Sequence, residues 1–289
     1  MNFDAFIHDI VDNKWNVHGV EVYDKGVLHS YGDTCNTRYP IYSATKTILS
    51  IAVGIAYDQG KIDLENSILD YIPGKNLSTM SAEQRSTFEK ITLHRLMTMS
   101  VGDLPFRPEG SSYLDFSLAC KIQEPETKVF NYNNISAYLV GVALTNAVGE
   151  DVCSYIDGNI FDPMQITNAE FSRCPDGYFY GASGMTLSVH DLSKIGLLLY
   201  NKGIYKGKRI VSEEYVDMAT SIQQMNREGG YGYGYFITKY RDGFSINGKW
   251  GQKCYILPKR ELIITYLSHI EDDSLDLLHS MEKHILGIA

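Results

Sequence analysis

Ser43 and Lys46 are the first residues of the sequence whose types and spacing could support a reaction. They precede an apolar run at residues 48–56, which predicts a helix beginning at Ser43. Residues three apart lie on one face of a helical turn, so a hydroxyl nucleophile would lie beside a possible base. Burial lowers the pKa of an ammonium, and the N–H groups at a helix N-terminus stabilise a developing oxyanion. The pair therefore predicts nucleophilic catalysis in which Lys46 activates Ser43.

The same spacing occurs at Ser280 and Lys283, where we expect only the solvated face of an ordinary helix. Spacing by itself is therefore a weak signal, and a motif becomes a site only in the right structural context. Two further groups of residues supply that context.

Tyr132 and Asn134 form the second group, at the entrance of a predicted helix over residues 135–148. Of the 21 tyrosines, Tyr132 is the only one followed two residues later by asparagine. A phenol near a lysine can act as a general base or relay a proton, and the amide can bind a substrate carbonyl. The alternative is a core tyrosine next to a helix-capping asparagine.

Lys249, Trp250 and Gly251 form the third group, just before a predicted strand at residues 253–257. A glycine at a strand edge lets a substrate backbone approach closely. The N–H of Gln252, just past Gly251, could then pair with that of Ser43 as an oxyanion hole. The alternative is a hairpin turn that contains glycine.

The elements that must position these groups come from both ends of the chain. A helix at residues 3–13 and a hairpin at residues 17–31 precede Ser43, and strands at residues 230–237, 244–247, 253–257 and 262–267 follow a helical middle. This order predicts an α/β (α+β) fold with one antiparallel sheet from both chain ends, flanked by helices. We expect one α/β subdomain at residues 1–64 and 181–289, a mostly helical subdomain at 65–180, and the active site in the cleft between them.

Composition and charge exclude several classes of function. Hydrophobic content of 44% and charged content of 21% are ordinary for a globular protein of 289 residues. The net charge of −9, without a cluster of Lys or Arg, argues against a nucleic-acid partner. The first residues lack an export signal, and no apolar run approaches the roughly 20 residues that span a membrane, so we expect a cytoplasmic protein.

Cysteine and histidine give no sign of a metal or another cofactor. The five cysteines are scattered without Cys-x-x-Cys spacing, which predicts buried free thiols. The eight histidines show no His-x-x-x-His spacing on one element, which makes a metallohydrolase a weak alternative. We therefore expect neither a metal nor a cofactor.

The sequence resembles the serine β-lactamase-like superfamily, in the branch of class C β-lactamases, D,D-peptidases and esterases, where tyrosine replaces the serine of the second motif. The resemblance covers most of the chain, through residues 41–46, 60–65, 91–102, 184–192 and 230–234. It implies a β-lactamase/transpeptidase-like fold. It also implies Ser43 as acylated nucleophile, Lys46 and Tyr132 as the base system, Asn134 as a substrate-amide contact, Lys249 as the third-motif cation, and the N–H groups of Ser43 and Gln252 as oxyanion donors.

Trp250 departs from the third motif of the lactamase and peptidase members, which resembles Lys-Thr-Gly or Lys-Ser-Gly. A bulky indole with only an N–H donor replaces a small hydroxyl that helps to hold the substrate carboxylate. This favours an esterase or a D-amino-acid amidase or peptidase with a small-molecule ester, amide or peptide substrate. The alternatives are a β-lactamase or D,D-carboxypeptidase, and a non-hydrolytic ligand-binding or sensor protein. The choice between Lys46 and Tyr132 as general base and the oligomeric state stay open.

Overall fold

The computed structural model describes residues 1–226, 230–271 and 275–288, and its strands and helices follow the predicted order closely. The strands are β1 (Val17–Asp24), β2 (Val27–Gly32), β3 (Tyr39–Pro40), β4 (Glu170–Phe171), β5 (Met185–Leu187), β6 (Ile204–Tyr205), β7 (Lys208–Arg209), β8 (Gln224–Met225), β9 (Gly232–Tyr233), β10 (Thr238–Tyr240), β11 (Gly243–Gly248), β12 (Gln252–Leu257) and β13 (Leu262–Ser268). The helices are α1 (Phe3–Asp12), α2 (Thr45–Asp58), α3 (Gly74–Thr79), α4 (Ala82–Phe88), α5 (Leu93–Met97), α6 (Tyr113–Leu118), α7 (Asn134–Val148), α8 (Val152–Ile156), α9 (Asp162–Met164), α10 (Val189–Tyr200), α11 (Glu213–Thr220) and α12 (Leu275–Met281).

The main sheet is antiparallel and has the strand order β2-β1-β13-β12-β11-β10-β9-β8. Strands from the N-terminal hairpin therefore pair directly with the last strand of the chain, which confirms the predicted sheet built from both ends. Helices α1 and α12 cover one face through an apolar cluster that includes Phe6, Val20, Tyr266 and Met281. Helix α10 packs against β1, β12 and β13 on the other face. The layers give a mixed α/β protein with helices on both sides of the sheet.

Helix α2, which begins two residues after Ser43 and contains Lys46, runs through the core of the molecule. Every residue from Thr45 to Ala56 is buried, because the apolar run covers all sides of the helix. The ring of Tyr215 packs against Gly54, where an added Cβ would lie 2.4 Å from a ring carbon. The helix ends at Asp58, and Gly60 follows with a φ of 66° that glycine adopts without strain.

Residues 65–180 contain helices α3 to α9 and, among the named strands, only the two-residue β4. One apolar core cluster continues from α2 through α5 and α7 to the strands β11 and β12. The division into two subdomains with boundaries at residues 64 and 180 stays a prediction. No helix in the described ranges combines the length and the apolar character that crossing a bilayer requires.

Two local predictions differ from the structure. The predicted strand at residues 230–237 contains only β9, because the next residues turn away from the ladder: Phe236 has a φ of 57°, and Tyr235 N donates to Ala219 O. Gly234 permits this approach, since a Cβ there would lie 2.1 Å from Ala219 O. The Gly, Pro and Ser content of residues 102–116 predicts a surface loop, but the last of these residues belong to helix α6, which Ser112 caps by accepting from Asp115 N.

Candidate active site

Ser43 lies in a single 3-10 turn, Tyr42–Ala44, that leads directly into α2. Tyr42 has a φ of 48°, a left-handed conformation that is uncommon for a residue with a side chain. The ring of Trp250 packs edge-to-face against the Tyr42 ring, with 5.1 Å between centroids. Packing thus holds the backbone just before the nucleophile in an otherwise unfavourable conformation, as is common at functional sites.

Lys46 lies one turn further along and is only 1% exposed. Its Nζ lies 3.2 Å from Ser43 Oγ, 2.8 Å from Asn134 Oδ1 and 2.8 Å from Ala182 O. Removal from water disfavours the charged form, which lowers the pKa of Lys46 to about 7. In the described part of the chain, no carboxylate forms an ion pair with Lys46 in addition to these three contacts.

The three contacts of Lys46 fit a neutral amine. An uncharged amine has two N–H bonds and one lone pair, and both Asn134 Oδ1 and Ala182 O can only accept hydrogen bonds. When Lys46 donates its two hydrogens to these oxygens, its lone pair faces the Ser43 hydroxyl. The arrangement is therefore that of a base directed at its nucleophile.

Tyr132 lies across the same hydroxyl, at the entrance of α7. Its ring centroid is 5.0 Å from Lys46 Nζ, and its hydroxyl hydrogen-bonds Ser43. Burial of the phenol raises its pKa, and the hydrogen bond to Ser43 offsets part of that rise. Tyr132 is therefore protonated at neutral pH and can donate a proton.

Asn134 supports the base and does not cap the helix. Asn133 is the N-cap of α7, since its side chain accepts from Ser136 N at 2.7 Å. The amide of Asn134 is thus free to bind Lys46 through Oδ1, and it also hydrogen-bonds the Tyr180 hydroxyl. These contacts fix the orientation of the amide beside Lys46.

A cavity of about 770 Å³ opens in front of Ser43. Its walls are aromatic and basic, and no carboxylate is among the lining residues in the described ranges. The lining aromatic residues are Phe106, Tyr132, Tyr231, Tyr233, Tyr240 and Tyr255, and the lining lysines are Lys239, Lys249 and Lys253. Thr238, Ser245, Asn247 and Gly248 contribute from β10 and β11, and Leu275 and Leu278 from α12.

The structure places the residues of the third motif differently from one another. Lys249 lines the cavity, whereas Trp250, Gly251 and Gln252 do not. Trp250 and Gly251, with φ values of 62° and 81°, form the turn between β11 and β12. The indole packs between Tyr42 and the ring of His269, 4.4 Å away, so it does not stand at the cavity edge as the sequence predicted.

Gln252 is buried on β12, and its side-chain amide donates to the carbonyl oxygens of Lys249 and Ser268. β12 lies between β11 and β13, and Gln252 pairs with Gly248 across the hairpin. The sequence predicted the strand that follows the turn as the one facing Ser43. In the structure the strand that faces Ser43 is β11, which precedes the turn, because the chain reverses between Gly248 and Gln252.

The last residues of β11 present an unpaired edge beside Ser43. Strand β10 pairs with β11 only from Gly243 to Ser245, which leaves residues 246–248 without a partner strand on that side in the described chain. Gly248 abuts the segment that leads to Ser43, since an added Cβ would lie 2.2 Å from Ile41 O. A free strand edge offers backbone N–H and C=O groups to an extended ligand.

We predict that Gly248→Ala disturbs the turn that holds Ser43. The methyl group must displace the Ile41 carbonyl, which we expect to cost about 1–3 kcal/mol and to lower turnover at least about tenfold. Gly74→Ala is the matched control, because a Cβ at Gly74 meets no atom within 4 Å. Thermal unfolding and ester turnover of both variants check this. Unchanged turnover in Gly248→Ala would mean that this contact does not position Ser43.

One partner of Lys46 lay outside the predicted set of site residues. The carbonyl of Ala182 belongs to residues 181–185, a run of mostly small residues whose composition predicts only a flexible segment. Gly181 before it has a φ of 70°, and a Cβ there would lie 3.0 Å from Ala137 O. The tight backbone packing at Gly181 therefore brings the Ala182 carbonyl to the amine.

The repeated spacing at Ser280 is not a second site. Ser280 is buried and donates to Asp9 Oδ2 at 2.7 Å, while Lys283 is exposed. The hydroxyl and the ammonium are therefore not brought together as they are at Ser43 and Lys46.

Comparisons with known proteins show the family of this chain and its fold. A family model described as Beta-lactamase matches residues 5–280. A Bacillus anthracis structure named as a candidate 6-aminohexanoate-dimer hydrolase is similar with a TM-score of 0.80 and 20% identity, covering 98% of this chain and 82% of that one. A D-stereospecific amidohydrolase from Streptomyces sp. gives 0.74 and 16%, covering 100% of both chains. A penicillin-binding protein from Bacillus halodurans gives 0.73 and 16%, covering 96% and 99%. At these identities the structures show the fold, which confirms the β-lactamase/transpeptidase-like prediction.

Proposed function

This chain belongs to the Beta-lactamase family and is a serine hydrolase, and we propose that it cleaves an ester or amide through an acyl-enzyme on Ser43. The observation that carries the proposal is the environment of Lys46. Its amine lies against two obligatory acceptors and the Ser43 hydroxyl, with a pKa lowered to about 7. A serine needs such a base to act as a nucleophile at neutral pH.

The first half of the reaction forms the acyl-enzyme. Lys46 takes the proton of the Ser43 hydroxyl as Oγ attacks the substrate carbonyl, which becomes a tetrahedral oxyanion. The N–H of Ser43 and an N–H at the end of β11, from Gly248 or Lys249, stabilise the oxyanion. Tyr132 gives its proton to the departing alkoxide or amine, and the proton that Lys46 took from Ser43 then restores the Tyr132 phenol, which leaves Lys46 neutral again.

The second half releases the acyl group. A water molecule enters where the leaving group departed, and the same pair of groups removes its proton as it attacks the acyl carbonyl. Collapse of the second tetrahedral intermediate breaks the bond to Ser43 Oγ, which regains its proton, and the product carboxylate leaves. Because Lys46 and Tyr132 share one hydroxyl, their protons titrate as a coupled system.

The cavity supports a substrate with a flat or apolar part and a negatively charged group. Six aromatic rings line it, and three lysines with no lining carboxylate in the described ranges make it locally positive on a chain of net charge −9. Esters and amides that carry an aromatic group or a free carboxylate, D-amino-acid peptides among them, fit this description. Similarity to a D-stereospecific amidohydrolase supports testing the amides.

β-Lactamase or D,D-carboxypeptidase activity is a second candidate, which one observation favours. The indole of Trp250 packs behind the nucleophile against Tyr42 and does not line the cavity, where the hydroxyl of Ser245 is found instead. The steric argument against a β-lactam is therefore weaker than the sequence suggested. A non-hydrolytic sensor is the less favoured alternative, since the contacts of Lys46 and Tyr132 with Ser43 supply both a base and an acid.

A hydrolysis panel tests the proposal. Chromogenic acetate and butyrate esters, a D-alanyl peptide and nitrocefin are offered to the wild type, with Ser43→Ala as the blank. We expect the wild type to turn over an ester or an amide and Ser43→Ala to turn over none. Nitrocefin as the best substrate would establish the second candidate, and equal turnover by both proteins would contradict a role for Ser43.

The pH dependence of kcat/KM follows from the pKa of Lys46. Lys46 acts in its neutral form, so the rate should fall about tenfold per pH unit below a pKa of about 7 and level off above it. Tyr132 acts in its protonated form with a raised pKa, so the plateau should extend beyond the pH at which an ordinary phenol ionises. A pH profile of ester hydrolysis checks this. A rising limb only near pH 10 would show that Lys46 is not the base.

A further inference from the structure

Glu21, Cys35 and His190 meet at a point that the hydrolase mechanism does not use. Glu21 lies on β1 and points towards α10, since its neighbours Val20 and Val22 face the opposite apolar cluster. His190 lies in the first turn of α10, and Cys35 lies in the loop after β2. His190 Nδ1 is 3.0 Å from Glu21 Oε1 and 3.2 Å from Oε2, and one ligand atom from each residue lies within 4.8 Å of the others.

The Glu21 carboxylate has few hydrogen-bond partners for a buried charged group. Glu21 is 1% exposed, and in the described chain the one hydrogen-bonding group at its two oxygens is His190 Nδ1. A carboxylate has about four acceptor positions, and a buried charge needs compensation from partners. One imidazole N–H leaves most of these positions unused, and they face the exposed thiol of Cys35.

We propose that Glu21, Cys35 and His190 bind a divalent transition-metal ion of the zinc class. Sulfur, imidazole nitrogen and carboxylate oxygen form a ligand set that zinc takes, whereas Mg²⁺ and Ca²⁺ favour oxygen alone. Ligands of a tetrahedral zinc lie about 3.3 Å apart. The distance of 3.0 Å between Glu21 Oε1 and His190 Nδ1 is close to this value. Rotation of the exposed Cys35 side chain would bring its Sγ, now within 4.8 Å of both atoms, to the same spacing. On binding, the Cys35 thiol releases its proton to solvent, and His190 binds the metal through Nδ1 as a neutral imidazole that keeps its one N–H on Nε2.

The surrounding residues hold the loop after β2 in place. His190 N donates to Thr34 O at 2.8 Å, and the Thr34 hydroxyl lies 3.5 Å from Cys35 Sγ. The Asp33 carboxylate accepts from Asn36 N at 2.9 Å and from the Thr37 hydroxyl. The loop is thus organised before a metal binds, and solvent can supply the fourth ligand on its exposed side.

The metal site is separate from the active site. Strands β13 and β12 lie between β1 and β11, a distance of about 14 Å at ordinary strand spacing. None of the three ligands lines the cavity in front of Ser43. The metal would hold the loop after β2 and the start of α10 onto the sheet, and ester turnover does not depend on it.

Cobalt binding tests the site directly. Protein freed of metal with a chelator is titrated with Co²⁺, and we expect one equivalent to bind with a near-ultraviolet charge-transfer band from a thiolate ligand. Cys35→Ser should lose the band, and His190→Ala should bind at least about tenfold more weakly. Cys120→Ser, which removes another thiol that is not fully buried, should behave like the wild type.

Thermal unfolding gives a second readout. Zn²⁺ at a concentration a hundred times its Kd should raise the Tm of the wild type and of Cys120→Ser by about 3 °C or more. The Tm of Cys35→Ser should stay unchanged under the same conditions. Mg²⁺ should change the Tm of none of the three proteins. A wild type without the cobalt band, or a band that survives in Cys35→Ser, would overturn the site. Because Cys35 is exposed, the serine variant should fold, and neither result bears on Ser43.

Discussion

Lys46→Met is expected to lower kcat/KM by about 10³-fold or more, for esters and amides alike. The methionine side chain has a similar length and fills the same buried space, but it has no lone pair that can take the Ser43 proton. Lys46→Arg should be equally inactive, since a guanidinium stays protonated at every pH at which the protein is folded. Initial rates with a chromogenic ester give the ratio, and thermal unfolding shows that each variant is folded.

Lys194→Met is the matched control for the loss of a buried lysine. Lys194 is also buried, and its Nζ contacts Asp191 Oδ1 at 3.1 Å and Gln165 O at 2.7 Å, away from the cavity. This variant should lower the Tm, because it removes one of the two cationic partners of the buried Asp191 carboxylate and leaves only Arg38, 3.5 Å away. It should retain most of the ester activity. A similar loss of activity in Lys46→Met and Lys194→Met would mean that Lys46 acts through stability and is not the base.

Tyr132→Phe is expected to divide substrates by their leaving group. If Tyr132 protonates the departing atom, the loss of its hydroxyl should slow the cleavage of an amide by about 10²–10³-fold. A p-nitrophenyl ester should lose less than about tenfold, because nitrophenolate departs without a proton. The two values of kcat/KM, measured on one preparation, check this difference.

Tyr231→Phe removes another phenol from the same cavity and serves as the control for Tyr132→Phe. It should change the amide and the ester to the same extent. An equal loss for both substrates in Tyr132→Phe as well would contradict proton donation by Tyr132. Such a result would instead fit a role in holding Ser43 or the substrate.

The sequence predicted the parts of the site that depend on local spacing. Ser43 and Lys46 are three residues apart on one helix, so their contact follows once the helix is assigned. The sequence put Tyr132 and Asn134 at the entrance of a helix, and the structure brings Asn134 to Lys46 and Tyr132 to both Lys46 and Ser43. Their proposed roles in catalysis stay predictions that the variants above will test.

The third motif shows where local reasoning fails. The error was a few residues in the position of one turn. A turn at residues 249–251 puts the end of β11 beside Ser43, whereas the sequence was interpreted with the residues that begin β12 there. The sequence placed Gln252 beside Ser43, whereas the structure puts Gly248 and Lys249 there and buries Gln252 between β11 and β13. Glycine at position 248 was the available signal, since a close backbone approach requires it.

Contacts between distant parts of the chain carried no sequence signal. The carbonyl of Ala182 binds Lys46 through its backbone, so its residue type says nothing about the role. Glu21, Cys35 and His190 come from three separate elements and have no metal-binding spacing, because the sheet and α10 bring them together. The absence of such spacing predicted no metal site, and the proposed zinc-class site departs from that prediction.

The central claim is that the reaction passes through an acyl group on Ser43. An ester reaction quenched with acid and examined by intact mass spectrometry, followed by peptide mapping, measures this directly. We predict a mass increase of one acyl group, located on the peptide that contains Ser43 and absent from Ser43→Ala. Turnover of the ester with no adduct on that peptide, or the same adduct in Ser43→Ala, would contradict the mechanism.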